Sequence, residues 1–124
     1  MPAKRASIAL IALAIAAVAT SAEAASFNCT KAKTPDEKAT CANRSLSELD
    51  VKMAALFGVR MKLPMLMGSR GAAQDEQREF LINRGTCGAD AACIGAAYQR
   101  RIDEINIEID AAMQDYCVQL GICG

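Results

Sequence analysis

The sequence predicts an all-α fold: a small, disulfide-stapled bundle of about four helices that ends in a long C-terminal helix. Three observations predict it. Apolar residues recur every three or four positions over most of the chain, and no stretch alternates apolar and polar residues with β-branched enrichment. Helix-start signals stand at Thr34, Ser45 and Asp90. Six cysteines and no histidine occur in 124 residues, and an even cysteine count in a short exported chain reads as a disulfide framework.

Export is read from the first residues, MPAKRASIALIALAIAAVATSAEAASF. Lys4 and Arg5 form a basic start, Ile8 to Val18 is apolar without a break, and Ala22-Glu23-Ala24 is a small-x-small cleavage pattern. This is the grammar of a secretory signal peptide over 1–24, removed after Ala24. The apolar run is well short of the roughly 20 residues of a spanning helix. Ser26-Phe27-Asn28 before Cys29 lacks the residues of a lipid-attachment box. The expected location is therefore periplasmic or secreted, with 25–124 as one domain and no integral membrane segment after cleavage. Losing Lys4, Arg5 and Glu23 from 14 basic and 14 acidic residues leaves 12 and 13. Such a balance gives nucleic acid nothing to bind and offers anionic membranes no polybasic tail.

The first helix is expected over Pro35–Ala42. Thr34 suits the N-cap, Pro35 the first helical position and Glu37 the return arm of a capping box. The second opens at Ser45 with Glu48 three residues on, carries the stripe Leu46, Leu49, Met53, Leu56 and Phe57, and stops near Leu63 before Pro64. Pro64 to Gly71, PMLMGSRG, reads as a turn. The third helix is expected from Ala72 to Arg84, with Ala73, Phe80 and Leu81 inward and Gly85 at C′. The fourth starts after Asp90 and runs to Leu120-Gly121, with the stripe Ile94, Tyr98, Ile102, Ile105, Ile109, Ala112 and Tyr116. At about 1.5 Å per residue it is some 40 Å long, so its C-terminal half is expected to kink or project.

All six cysteines, Cys29, Cys41, Cys87, Cys93, Cys117 and Cys123, lie beyond the leader. Six thiols allow about 15 pairings. Proximity favours 29–41, 87–93 and 117–123, and each of these pairs has a chain break between its members. Each bridge would contribute roughly 2–3 kcal/mol by loop entropy. Zinc and redox uses are the competitors, but the chain has no histidine and no CxxC.

His-based catalytic triads and His–metal sites are excluded by composition. Asp103, Glu104, Glu108 and Asp110 lie on the fourth helix, with Glu104 and Glu108 on one face. They read as a solvated polar face. Met61, Met65 and Met67 cluster at the expected turn; they suit turn packing, with a partner contact or Cu(I) ligation as other uses. No enzyme, cofactor or metal is expected.

Two stretches carry a family resemblance. FNCTKAKTPDEKATCANRSLSELDVKMAALF resembles the opening of the lysozyme-inhibitor LprI-like N-terminal domain, and QREFLINRGTCGADAACIGAAYQRRIDEI its second half. Cys29, Cys41, Cys87 and Cys93 match the family cysteines. Thr34, Pro35, Glu37, Lys38, Leu49, Asp50, Tyr98, Arg101 and Ile102 match its other recurrent positions. The match covers about 27–105 and leaves 106–124 as an extension. Phe80 stands where the family commonly has tryptophan, and Cys117 and Cys123 lie beyond the pattern. The resemblance implies an exported binding protein that binds and blocks lysozyme-type muramidases, and Asp103, Glu104 and Glu108 are the candidates for attracting such a basic partner. The alternative expectation is a periplasmic envelope interaction or structural protein with a non-lysozyme partner.

Overall fold

The computed structural model describes residues 25–65 and 67–123, and the expected leader over 1–24 lies outside the described residues. A short 3₁₀ turn at Cys29–Lys31 precedes four helices: α1, Pro35–Ala42; α2, Arg44–Lys62; α3, Met67–Gly85; and α4, Ala91–Leu120. The fold is all-α, as the periodicity predicts, and no strand occurs among the described residues. None of the described helices is long and apolar enough to cross a membrane.

α1 begins as the sequence dictates. Glu37 Oε2 accepts from the Lys33 and Thr34 backbone N–H groups at 2.7 and 3.2 Å, closing the capping box with Thr34. Those two N–H groups hold the Glu37 carboxyl below its ordinary range.

α2 departs from expectation at its start. Asn43, not Ser45, is the N-cap: its Oδ1 accepts from Leu46 N at 3.3 Å. Asn43 is extended and also ends α1, so one residue serves both helix ends. Glu48 is thereby left out of a capping box and accepts instead from Arg44 Nε at 2.8 Å.

α3 starts at Met67, so most of the expected turn is helical. Pro64 breaks the chain, but Gly68 and Gly71 only weaken the new helix, by roughly 1 kcal/mol each. Arg70 gains from being helical: its Nη1 donates to Met61 O at 2.7 Å, satisfying a carbonyl at the end of α2. Gly85 is the last residue of α3 rather than its C′, and the left-handed residue of the α3–α4 link is Gly88 at φ 58°. Asp90 caps α4 as predicted, accepting from Ala92 N and Cys93 N at 2.9 and 3.0 Å.

The core is Leu46 and Met53 of α2, Phe80 of α3, and Ile94, Ala97, Tyr98, Ile102 and Ile105 of α4. Ala73 is buried, whereas Leu81, expected inward, is exposed. It follows Phe80 directly, and adjacent helical residues do not share a face. Past Ile109 no α4 residue is buried, and Tyr116 is exposed. The expected stripe thus outlasts the bundle that it packs against, and the C-terminal stretch projects.

The disulfides follow proximity. Cys29–Cys41 joins the 3₁₀ turn to the last turn of α1, Cys87–Cys93 joins the α3–α4 link to the first turn of α4, and Cys117–Cys123 closes the end of α4. Their Cα–Cα distances are 5.8, 5.6 and 5.3 Å, within the ordinary range. Gly121 supplies the left-handed turn for the last bridge at φ 66°, and Ile122 N returns to Cys117 O at 3.2 Å. At the α2–α3 corner Arg60 donates to the Met65 sulfur. The Met67 side chain lies outside the described residues.

Candidate functional site

Each helix sends one polar side chain to the centre of the bundle. α1 supplies Asp36, α2 Asp50, α3 Arg84 and α4 Tyr98, and all are at least nine-tenths buried. Arg84 Nε donates to Asp36 Oδ2 at 2.8 Å, and its Nη1 donates to Tyr98 Oη at 2.7 Å. Tyr98 Oη donates in turn to Asp50 Oδ1 at 2.9 Å. The Arg84 guanidinium also lies 5.9 Å from the Phe27 ring centre and 5.5 Å from that of Tyr98, within cation–π range.

Electrostatics follow from this geometry. Burial pushes the Tyr98 hydroxyl up to about 12; the Arg84 charge opposes this and the Asp50 charge adds to it. Burial also pushes the Asp36 carboxyl up, but its hydrogen bonds with Thr34 and Arg84, and the Arg84 charge, leave it below its ordinary value. The cluster is a lock: every member is hydrogen-bonded to another member.

The opening with the more varied chemistry lies between α3 and α4. It is a cleft of about 410 Å³, lined chiefly by Glu76, Glu79 and Phe80 from α3 and by Arg100, Arg101, Glu104 and Glu108 from α4. Arg101 forms the floor, with its side chain 4% exposed. Its Nε donates to Gln77 Oε1 at 3.1 Å and its Nη1 to Glu104 Oε2 at 3.3 Å. Glu76 and Glu108 each stand 3.9 Å from the same Nη1. Nη2 is buried without a hydrogen-bond partner. Glu108 is further held by Arg60 Nε at 3.0 Å. Burial, then the Glu108 charge, raise the Glu76 carboxyl above its ordinary value, against the pull of Arg101. The cleft can therefore take a cation between its carboxylates.

Of the three acidic residues singled out from sequence, Glu104 and Glu108 line this cleft and Asp103 does not. Asp103 is exposed and accepts from Gln99 Nε2 at 3.0 Å. Sequence reasoning missed Glu76 and Glu79, and it missed Asp36 and Arg84 of the lock. A signal for Arg84 existed. Ala73, Gln77, Phe80 and Arg84 step by four, three and four along one face of α3. A charge at an apolar register announces a buried partner.

Comparison with known proteins returns no match. No family model matches the chain, and no curated protein or solved structure shows significant similarity to it. The functional reading accordingly rests on the residues themselves.

Proposed function

We propose that this chain is an exported, disulfide-braced binding protein, similar to the LprI-like inhibitors, that binds and blocks lysozyme-type muramidases. The observation that carries the proposal is the α3–α4 cleft, where the four carboxylates of Glu76, Glu79, Glu104 and Glu108 outnumber the two arginines, Arg100 and the buried Arg101. A basic enzyme presents lysine and arginine side chains, which are the groups that the cleft's carboxylates can accept. The residues carrying the resemblance support the reading in a second way. Asp50 and Tyr98 belong to the lock, Cys29, Cys41, Cys87 and Cys93 form two of the braces, and Arg101 floors the cleft. An inhibitor gains from such rigidity because less entropy is lost on docking. No reacting group is required of this chain, since blocking the enzyme's own carboxylate pair suffices.

The test is direct. Purified protein from an exporting host, incubated with several lysozyme types, should slow lysis of cell-wall suspensions. Undiminished lysis at large molar excess across those types rejects the proposal.

One observation favours the second reading, an envelope protein with a different partner. The end of α4 exposes Met113, Val118 and Leu120, followed by exposed Ile122, and none of these lines the cleft; Cys117–Cys123 steadies the stretch. Pull-down from periplasmic extract with and without the last turn of α4 separates the two readings. A reproducible non-lysozyme partner that is lost on truncation supports the second.

A further inference from the structure

The buried lock does not balance its charges. It holds two carboxylates, Asp36 and Asp50, and among the described residues Arg84 is the one cation paired with either. Arg84 is committed to Asp36 at 2.8 Å and stands 4.0 Å from Asp50. Buried carboxylates are stable when each finds a cation and enough donors, so Asp50 is one cation short.

The chain brings one candidate to it. Asp50 Oδ2 accepts from the Ser26 backbone N–H at 2.6 Å. Ala25, the residue before, is 6% exposed. Its nitrogen lies one residue's reach, at most about 3.6 Å, from that of Ser26. Beside Asp50 there is a space of about 280 Å³, lined also by Ser26, Phe27 and Arg84, with Glu37 at its edge. Ala25 is also the first residue left when the leader is cut after Ala24.

We propose that leader removal creates the missing cation: the freed α-ammonium of Ala25 pairs with Asp50 and completes the buried lock. Water hydrolyses the Ala24–Ala25 peptide bond under an exported leader peptidase. Its hydroxyl goes to the Ala24 carbonyl and a proton to the Ala25 nitrogen, which takes a further proton from solvent. Before cleavage that nitrogen is a neutral amide and supplies no charge. Maturation is thus a folding event as well as a trimming one. The charged groups lining the space beside the new ammonium are Asp50 from α2, Glu37 from α1 and Arg84 from α3, with Asp36 of α1 and Tyr98 of α4 bonded to Arg84. Asp50 is the nearest to Ser26 and leaves the balance negative. This inference rests on the export reading and not on muramidase inhibition, which is measured separately on the same sample.

The test uses the full chain, expressed with its own leader in a bacterial host and recovered from periplasm or medium. Intact mass and N-terminal sequencing locate the cut. Acylation of the α-amine by acetic anhydride is then followed against pH, in the native protein and in the same protein reduced and unfolded in urea. Burial alone lowers the plateau rate and shifts the midpoint down, whereas pairing with Asp50 shifts it up. The expected result is a start at Ala25 and a native midpoint at least one pH unit above the unfolded one, which is about 7.7–8.0. Asp50→Asn should bring the midpoint back to or below that value. A start at another residue overturns the proposal, and so does a native midpoint at or below the unfolded one. The wild-type comparison stands even if Asp50→Asn does not fold.

Discussion

Tyr98 Oη and Asp50 Oδ1 meet at 2.9 Å in the centre of the bundle, and this hydrogen bond joins α4 to α2 where neither side chain reaches water. The same hydroxyl accepts from Arg84 Nη1 at 2.7 Å, so one oxygen connects three helices. Tyr98→Phe keeps the ring and its packing against Phe80, whose centroid is 5.5 Å away. It leaves a buried guanidinium nitrogen and a carboxylate oxygen each short of a partner. An unsatisfied buried polar group costs about 1–3 kcal/mol. The variant should lose about 2 kcal/mol or more in urea unfolding. At about 4–8 °C per kcal/mol for a domain of this size, its thermal midpoint should fall by roughly 10 °C.

Arg84 should be the most sensitive polar position. Arg84→Met strands Asp36 and Asp50 together in the core, and breaking a buried ion pair from one side costs about 3–5 kcal/mol. Arg84→Lys keeps the charge but cannot reach Asp36 and Tyr98 with separate nitrogens in one plane, as Nε and Nη1 now do. Both variants should unfold well below wild type by circular dichroism, with the lysine variant the milder. A lysine variant of wild-type stability would show that charge alone, and not the guanidinium fork, matters here.

The pH dependence of stability follows from two groups of the lock. Asp36 is held below its ordinary 3.8 in the folded protein. Its contribution is full above that value and is lost as pH falls through the lower native one. Tyr98 is raised from 10.0 to about 12. Its contribution is full below pH 10.0 and is lost as pH rises towards 12. Glu76, raised above 4.5, acts oppositely to Asp36, since the stability that it adds in acid fades as pH rises past 4.5. Urea midpoints should decline beyond pH 10, and Tyr98→Phe should remove most of that decline. Asp36→Asn should flatten the acid limb below pH 4.

The three bridges should differ in what they hold. Cys29–Cys41 closes 12 residues and anchors the segment that carries Ser26 and Phe27 against the lock. Replacing both cysteines with serine should cost about 2–3 kcal/mol and lower the thermal midpoint under non-reducing conditions. Cys117–Cys123 closes a turn beyond the last buried residue of α4, Ile105. Its removal should fray the helix end, visible as faster amide exchange over 113–120, with the global midpoint nearly unchanged.

The sequence makes the helices legible because their signals are local. Pro35 after Thr34, Asp90 before Ala91, and the three- and four-residue steps from Ile94 to Ile105 each act within one turn, and the structure bears them out. The pairing of nearby cysteines was legible for the same reason. The misplaced start of α3 shows the limit. Gly68 and Gly71 lower helix propensity locally, but the contact that favours the helix, Arg70 to Met61 O, crosses between elements. The lock and the cleft are also products of tertiary placement. Asp36 and Arg84 lie 48 residues apart, as do Arg60 and Glu108. Glu104 and Glu108 shared a helical face in the sequence, but their carboxylate partners Glu76 and Glu79 came from a helix whose packing no local pattern fixed.

The cleft makes the sharpest functional prediction, because it divides the acidic residues of α4. Glu104 lines it with a side chain 59% exposed but also accepts from the buried Arg101 Nη1 at 3.3 Å, so the stability of a charge reversal there is measured alongside its binding. Asp103 is also exposed but lies outside the cleft. If a basic partner docks between α3 and α4, Glu104→Lys combined with Glu79→Lys should weaken inhibition of a lysozyme at least tenfold, about 1.4 kcal/mol. Asp103→Lys should leave it within twofold. The charge reversals should also flatten the dependence of binding on salt, since fewer opposite charges then meet across the interface. Thermal midpoints close to wild type for both variants would separate lost docking from lost folding. Equal inhibition by all three, measured as the concentration giving half-maximal lysis, would move the docking face elsewhere on the bundle.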